Sequence, residues 1–268
     1  MSLFSRSLLV LCSLLLPLPA LAVSATRGGE EKQNLVVLAD GSLMLALAEL
    51  GRVYSTSHGT PVAVIRNTSD DPATQIEQGF DAHILLSADP TLVERLAQRG
   101  LIDVFGTQNF ANTQLALVAP VRMKNKLAIA QRISFAALLF SHRELPIYIT
   151  RPDSESGVRA QALMEGREFS HELATRAVVK PGQDEIIQTL QTNDGFALML
   201  ASAAVTEPDV YIVSLLPEST SAAVRYDAAV LASGDMTEAR EFSKFLRSKT
   251  GQSILKRYGF QPESDPND

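Results

Sequence analysis

Cysteine is almost absent from this sequence, because one residue, Cys12, occurs among 268. It lies within an apolar N-terminal stretch at residues 8–16, and no cysteine follows it. The remainder of the chain therefore cannot form disulfides, use a thiolate nucleophile or bind zinc through cysteine.

Motifs for catalysis and nucleotide binding are also missing. The sequence contains no Gly-x-Ser-x-Gly nucleophile elbow and no glycine-rich phosphate loop. The histidines show no metal-ligand spacing to one another, and His83, in a predicted strand, is best interpreted as a packed residue. We therefore expect no enzyme activity, no cofactor and no metal bound directly by protein side chains.

The charge pattern argues against nucleic acid as a partner. The formal net charge is −6, and no run of basic residues occurs. Lys256 and Arg257 are typical of the last turn of a helix, where cations are favoured. A site for a small ligand is not excluded, because the local field around a site outweighs the net charge.

Residues 1–22 have the features of a secretory signal peptide. Arg6 supplies a positive start, residues 8–16 an apolar core, and a small-residue region ends at Ala22, where we expect cleavage. The apolar run is shorter than a typical membrane-spanning helix; a retained N-terminal anchor is the alternative interpretation. Nothing later in the sequence is long and apolar enough to cross a membrane. The signal peptide predicts export to the periplasm.

Strand and helix patterns alternate after a polar lead-in at residues 23–33. Predicted strands cover 34–39, 61–65, 83–87, 113–119, 146–150, 195–200, 210–215 and 224–231. Predicted helices cover 42–56, 72–78, 90–99, 133–140, 155–165, 170–176, 184–191, 237–249 and 251–258. Such alternation is typical of an α/β protein with parallel sheets and helices on both faces. Residues 261–268 form a polar tail that we expect to be disordered.

Two serines stand where a predicted strand gives way to a predicted helix. Ser42 follows the first strand, and Ser69 precedes a helix with Pro72 in its first turn. A helix N-terminus offers unpaired backbone N–H groups and a partial positive charge. Two such termini facing one point, each with a hydroxyl, would bind a small oxyanion. The alternative is that each serine only caps its own helix.

Segments around these serines resemble the periplasmic molybdate-binding proteins, the soluble receptors of ABC importers. In that family a strand leads into Ser-Leu, as at residues 39–43, and a serine cluster precedes Gln-Ile-Glu, as at 68–79. A strand ends in Ser-Ala-Asp, as at 86–89, and the sequence Lys-Arg-Tyr-Gly-Phe at 256–260 is the most specific match. The matches occur in the family's order and span most of the chain after residue 33.

The resemblance implies a two-lobed type II periplasmic-binding-protein fold, in which each lobe is a mostly parallel sheet flanked by helices. Lobe one is expected to hold residues 34–119 and 222–260, and lobe two residues 120–221. The chain would cross between the lobes near 119–126 and 216–221. A ligand would then bind in the cleft at the carboxyl ends of the strands, and a hinge motion would close the lobes around it.

The resemblance also suggests where a ligand binds. The family's ligand-binding positions correspond to Gly41, Ser42, Ser69, Ser156, Gly157, Asp184 and Glu185. Of these, Ser42 and Ser69 would donate through their hydroxyls, and the others mainly through backbone N–H groups. A site tyrosine of the family corresponds to Leu200, so that hydroxyl is missing here.

Three aspartates occupy positions where the family has small or hydroxyl residues: Asp40, Asp70 and Asp71. A carboxylate within ~4 Å of a bound dianion would cost several kcal/mol at a protein-like dielectric constant. The alternative is that the side chains point outward, as acidic residues in a first helical turn commonly do.

Three arginines lie close to the same positions: Arg66, Arg151 and Arg159. A guanidinium group suits a carboxylate or a phosphate, so two of them facing the cleft would favour an organic acid or a phosphorylated ligand. The alternative is that they are solvated and pair with nearby aspartates.

From the resemblance we expect an extracytoplasmic solute-binding protein that captures a molybdate- or tungstate-like oxyanion and presents it to the membrane permease of an ABC importer. Two alternatives stay open at this point. One is a receptor of the same fold for another small anion or an organic acid. The other is a sensory or accessory receptor that takes no part in transport.

Overall fold

The structure, a computed structural model, describes residues 34–68, 71–127, 135–166, 170–216, 223–232 and 236–262. The expected signal peptide and lead-in lie outside these ranges, as do residues 263–268 of the expected tail. Ser69 and Asp70 also lie outside them, so the structure says nothing about either side chain.

The first sheet has the strand order β2-β1-β3-β10-β4. Its strands are β1 (Leu35–Ala39), β2 (Val62–Arg66), β3 (Ile84–Ser87), β4 (Ile102–Thr113) and β10 (Val224–Leu231). β1 pairs in parallel with β2 and β3, whereas β10 is antiparallel to β3 and β4. The helices of this lobe are α1 (Met44–His58), α2 (Pro72–Glu77), α3 (Pro90–Gln98), α9 (Met236–Arg247) and α10 (Lys249–Arg257).

The second sheet repeats this plan with the order β7-β6-β8-β5-β9. Its strands are β5 (Leu115–Pro120), β6 (Ile147–Thr150), β7 (Ala177–Lys180), β8 (Phe196–Leu200) and β9 (Val210–Leu215). Its helices are α4 (Phe135–Ser141), α5 (Glu155–Glu165), α6 (Ser170–Arg176), α7 (Gln183–Thr192) and the short α8 (Ala201–Ala204). In each sheet one strand, β10 or β5, opposes the direction of the other four, so the expectation of mostly parallel sheets is confirmed.

Helices cover both faces of the first sheet because its interior strand β1 is apolar throughout. Side chains alternate across a strand, so Val37 faces one side of the sheet and Leu38 the other. Val37 packs in the same hydrophobic cluster as α1, α9 and α10. Leu38 packs in a second cluster, which includes residues of α2 and α3. This arrangement fixes the β1–α1 turn at the carboxyl edge of the sheet.

The first expected crossing between the lobes is corrected by the strand pairing. From the sequence, the strand at 113–119 is expected in lobe one. In the structure this strand is β5, which pairs with β8 and β9 in the second sheet. β4 ends at Thr113 and β5 begins at Leu115, so Gln114 is the crossing residue. The basic segment after 119 instead forms a 3-10 turn, Val121–Met123, held to lobe two by the Val121 N–H bond to the Asp209 carbonyl at 2.9 Å. Most of the second expected crossing lies outside the described residues.

Two strands and one short helix were not predicted from the sequence: β4, β7 and α8. β4 and β7 are edge strands of their sheets, so one side of each has no strand neighbour. Such strands carry more polar residues, and β4 includes Gln108, Asn109 and Asn112. Alternating hydrophobicity, the main sequence signal for a strand, is therefore weak in β4, and β7 has only four residues, too few to show it.

The expected disordered tail is also corrected at its first residue. Gln261 forms an antiparallel bridge with Asn112 of β4, with both backbone N–H groups bonded, at 2.7 and 2.8 Å. The bridge fixes the end of the chain beside lobe one, directly after Phe260.

The apolar face of α1 allows a test of the core. Leu47 is fully buried, whereas Leu45 in the same turn is 59% exposed. Leu47→Ala should lower the free energy of unfolding by about 2–5 kcal/mol, because it leaves a cavity. The control Leu45→Ala should change it by about 0.5 kcal/mol or less. Urea unfolding of both variants measures the difference, and equal effects would contradict the assigned face.

Candidate ligand-binding site

A cavity of about 360 Å³ lies at the carboxyl ends of the strands, with walls from both lobes. Lobe one contributes Gly41, Ser42, Leu45, Ala46, Arg66, Tyr258 and Phe260. Lobe two contributes Glu155, Ser156, Gln183, Leu200, Ser202, Ala203 and Thr206. Because several of these residues begin helices, backbone N–H groups with no intrahelical partner lie close to the cavity.

Ser42 sits in the turn between β1 and α1, in a 3-10 segment, Gly41–Leu43, that leads into the helix. The residue is exposed, and its hydroxyl does not cap the helix. Instead, Ser42 Oγ lies 3.0 Å from the hydroxyl of Tyr226 in β10. The alternative that Ser42 only caps its own helix is therefore not what the structure shows.

The start of α5 brings a second serine to the cavity. Ser154 caps this helix by accepting a hydrogen bond from the Gly157 N–H at 3.1 Å. Thr150, at the end of β6, lies 2.5 Å from Ser154 Oγ and 2.9 Å from Ser156 Oγ through its own hydroxyl. Three hydroxyls thus hold the helix start, and Ser156 is the one that lines the cavity.

Arg66 is the cation on the cavity wall among the described residues. It ends β2, and its guanidinium group lies over the β1–α1 turn: a Cβ atom built on Gly41 would come within 2.7 Å of Arg66 Nε. The side chain is exposed, and no carboxylate of the described residues pairs with it. The guanidinium group thus lies beside the turn that carries Ser42.

Two carboxylates add negative charge near the same place. Asp40 accepts hydrogen bonds from the Ala88 N–H at 2.6 Å and from Ser87 Oγ at 3.2 Å. Burial raises the pKa of Asp40 above its ordinary value, although these hydrogen bonds act in the opposite direction. Burial likewise raises the pKa of Glu155. The Arg159 guanidinium lowers this pKa, and the charge of Asp40 raises it. The two carboxyl groups therefore interact across the lobes and would repel a bound anion when both are ionised.

The most specific sequence motif forms the floor of the cavity. Gly259 has a positive φ of 77°, and a Cβ atom there would lie 2.6 Å from the Ala201 carbonyl of lobe two. Only glycine fits this contact without strain. It places Phe260, and Tyr258 before it, on the cavity wall.

Three other predicted residues lie away from the cavity wall. Arg151 is 59% exposed and pairs with Asp153 at 3.0 Å, and Arg159 pairs with Glu155 at 3.8 Å. Only Arg66 of the three candidate arginines lines the cavity among the described residues. Two arginines facing the cleft were needed to favour an organic acid or a phosphorylated ligand. Asp71 caps α2 by accepting from the Thr74 N–H at 3.4 Å, as the outward-pointing alternative predicts.

The start of α7 reaches the cavity through Gln183, one residue before the predicted contacts Asp184 and Glu185. Gln183 begins this helix and lines the cavity. Asp184 and Glu185 line a separate depression, together with Glu207. Sequence patterns place a helix start within one or two residues, and the expected backbone N–H donors of Asp184 and Glu185 stay a prediction.

Other candidate sites are not supported by the described residues. His83 is buried, and its Nδ1 accepts a hydrogen bond from the Val36 N–H at 2.9 Å, so the packed interpretation is confirmed. Within these ranges, no group of three or more histidine, cysteine or acidic side chains is arranged to hold a metal ion. No helix among them is long and apolar enough to span a membrane.

Gly157 provides a test of the α5 start. A Cβ atom at this position would lie 1.8 Å from the Arg151 carbonyl oxygen. Gly157→Ala should therefore destabilise the protein by about 1–3 kcal/mol, although alanine normally stabilises a helix relative to glycine. The neighbouring Val158→Ala, at a side chain that is 55% exposed, serves as the control and should have little effect. An increase in the urea midpoint of Gly157→Ala would contradict the assigned packing.

Comparisons with known proteins agree with this architecture. The family model described as bacterial extracellular solute-binding protein matches residues 35–261. The chain is 22% identical to the molybdate-binding protein ModA of Escherichia coli (strain K12) over 233 residues, which are 86% of this chain and 90% of that protein. It is 26% identical to ModA of Mycobacterium bovis over 235 residues, which are 85% of this chain and 84% of that protein.

Solved structures show the same two-lobed fold. A substrate-binding domain assigned to a molybdenum ABC transporter from Clostridium difficile superimposes with a TM-score of 0.76 at 20% identity, covering 86% of this chain and 99% of that one. The tungstate-binding protein TupA from Desulfovibrio alaskensis G20 gives a TM-score of 0.63 at 15% identity, covering 87% and 99%. Because the family model spans most of the chain, this protein belongs to the bacterial extracellular solute-binding proteins.

Proposed function

We propose that this protein is the extracytoplasmic receptor of an ABC importer, which captures a small oxyanion between its lobes and presents it to a membrane permease. The observation that carries the proposal is the cavity in which Ser42 of lobe one and Ser156 of lobe two face the same space beside Arg66. Residues 1–22 would direct the chain to the periplasm and be removed there. The protein would catalyse no reaction and need no cofactor.

Hydrogen bonds supply enough free energy for such a ligand. A hydrogen bond to a charged group contributes about 1.5–3 kcal/mol, and micromolar affinity requires about 8 kcal/mol. Two serine hydroxyls, the helix-start N–H groups and the Arg66 guanidinium together reach this range. Closure of the lobes would remove water from the cavity and strengthen each bond.

Molybdate and tungstate are the first candidate ligands. A molybdate-binding protein and a tungstate-binding protein each align with most of this chain. Leu200 offers hydrocarbon where the family resemblance places a tyrosine, so one neutral donor is lost. Arg66 compensates by adding a charged donor on the opposite lobe. The site would therefore hold its anion with more charge and fewer hydroxyls than the resemblance alone implies.

A second candidate ligand, also a small anion, is an organic acid. The cavity of about 360 Å³ has apolar walls at Leu45, Leu200 and Phe260. At ~30 Å³ for each water, it holds roughly a dozen water molecules, which exceeds the needs of one tetrahedral oxyanion before closure. A ligand panel should therefore include short carboxylates alongside molybdate, tungstate and sulfate.

The proposal predicts a specific role for Arg66. Arg66→Gln should weaken binding of the preferred oxyanion by roughly ten- to a hundredfold, because it removes a charge-assisted hydrogen bond. Arg151→Gln, at a side chain that is 59% exposed and paired with Asp153, is the matched control and should bind like the parent protein. Isothermal titration measures both affinities.

Thermal unfolding with the same panel provides the wider test. A ligand at 100 times its dissociation constant should add about 2.7 kcal/mol to the free energy of unfolding. If no oxyanion and no organic acid raises the melting temperature, the proposed function is wrong.

The carboxylates predict how binding depends on pH. The pKa values of Asp40 and Glu155 are raised, so acidification protonates them earlier than ordinary carboxyl groups and removes charge that repels the anion. Affinity should therefore increase as the pH falls from 7.5 to 5.5. Glu155→Gln should bind roughly two- to fivefold more tightly at pH 7.5 and show a weaker pH dependence. Asp153→Asn, off the cavity, is the control; affinity that falls on acidification would contradict the account.

A further inference from the structure

Tyr226 contacts Ser42 but is not among the residues that line the cavity. It belongs to β10, and its side chain is fully buried. Its ring packs edge-to-face against Phe260, with ring centres 5.4 Å apart and planes at 87°. Because β10 is the antiparallel strand inserted between β3 and β4, this ring is attached to an interior strand of the first sheet.

The direction of the hydrogen bond between Tyr226 and Ser42 follows from burial. Within the described residues, Ser42 Oγ, at 3.0 Å, is the partner of the Tyr226 hydroxyl. If Ser42 donated this bond, the hydrogen of Tyr226 would be buried without an acceptor, which is costly. Ser42 is exposed, so its own hydrogen can be satisfied by water or by a ligand. The favoured arrangement has Tyr226 donating and Ser42 accepting.

The surroundings keep Tyr226 in the neutral form that this arrangement needs. Burial raises the pKa of Tyr226 well above its ordinary value, and the carboxylates of Glu155 and Asp40 raise it further. A deprotonated phenol has no hydrogen to donate and would add another negative charge behind the site. Tyr226 therefore remains a donor throughout the physiological pH range.

We propose that Tyr226 is a positioning residue that fixes Ser42 as a hydrogen-bond donor to the ligand. The proposal rests on the proposed function, because it assigns a role to Tyr226 in the same site. When Tyr226 donates to Ser42, the hydrogen of Ser42 is the one left to point into the cavity. The two bonds in series polarise one another, which strengthens the bond to an anionic oxygen. The site thereby favours an ionised oxygen over a hydroxyl at the position next to Ser42.

A double-mutant cycle on affinity tests this role. Tyr226→Phe should lower the affinity for molybdate or tungstate roughly two- to tenfold, the effect of one neutral hydrogen bond. In the Ser42→Ala background the same substitution should cause no further loss, because Tyr226 acts through Ser42. A matched control is Tyr54→Phe, at another fully buried tyrosine, whose hydroxyl donates to Glu238 at 3.1 Å. That variant should bind like the parent protein even where it is less stable.

The affinity results decide between positioning and mere packing. Unchanged affinity in Tyr226→Phe, or an equal loss with and without Ser42, would overturn the proposal. If organic acids bind and molybdate and tungstate do not, the cycle is measured with the tightest carboxylate of the panel and has the same expected outcome.

A second cycle, on unfolding without ligand, separates failure of this proposal from failure of the proposed function. Ser42→Ala should lower the melting temperature, because the buried Tyr226 hydroxyl loses its acceptor. Adding Tyr226→Phe should recover part of that loss, because it removes the unpaired hydroxyl. This coupling is expected even if no anion in the panel binds. Losses that simply add in the double variant would overturn the positioning role, whatever the ligand.

Discussion

The binding cavity depends on one topological constraint, which is that each sheet ends its parallel strands at the same edge. In both lobes a strand, β1 or β6, is followed by a short turn and a helix, α1 or α5. The two helix starts face the same space, so Ser42 and Ser156 line it from opposite lobes. The crossing strands β5 and β10 are inserted antiparallel in the fourth position of each sheet, so each lobe is completed by a strand that follows a crossing.

Electrostatic effects of opposite sign meet in this cavity. Helix-start N–H groups and Arg66 attract an anion, whereas Asp40 and Glu155 repel one when ionised. Asp40 is already bonded to Ala88 and Ser87, so part of its charge stabilises the loop after β3. Arg159 beside Glu155 offsets the second carboxylate in part. In the proposed anion site, the net attraction would therefore be smaller than the donors alone would give, and affinity would depend strongly on Arg66.

The sequence predicted most local elements well but missed two of the four edge strands, β4 and β7. The strand at 224–231 and the helix at 155–165 have the predicted bounds, because their apolar patterns are strong. β4 was missed because it is rich in polar residues, and β7 because it has only four residues. The strand after Gln114 was placed in the wrong lobe, because sheet membership depends on pairing between distant segments.

For the site too, local patterns could be predicted and long-range contacts could not. Ser42 and Ser156 could be placed on the cavity from a strand-to-helix pattern and a family resemblance. Tyr226 could not, because it meets Ser42 across 184 positions of sequence and only the order of strands brings them together. Arg66 was one of three equivalent candidates until the close approach to Gly41 distinguished it. Long-range pairing, more than local pattern, decides which polar residues share the cleft.

Anomalous X-ray diffraction from crystals of the protein grown with tungstate tests the central claim most directly. The account predicts one strong tungsten peak between the lobes, within hydrogen-bond distance of Ser42 and Ser156 and close to Arg66. A peak elsewhere, for example in the depression beside Asp184 and Glu185, or no ordered tungsten in the cleft of a protein that binds tungstate in solution, would contradict it.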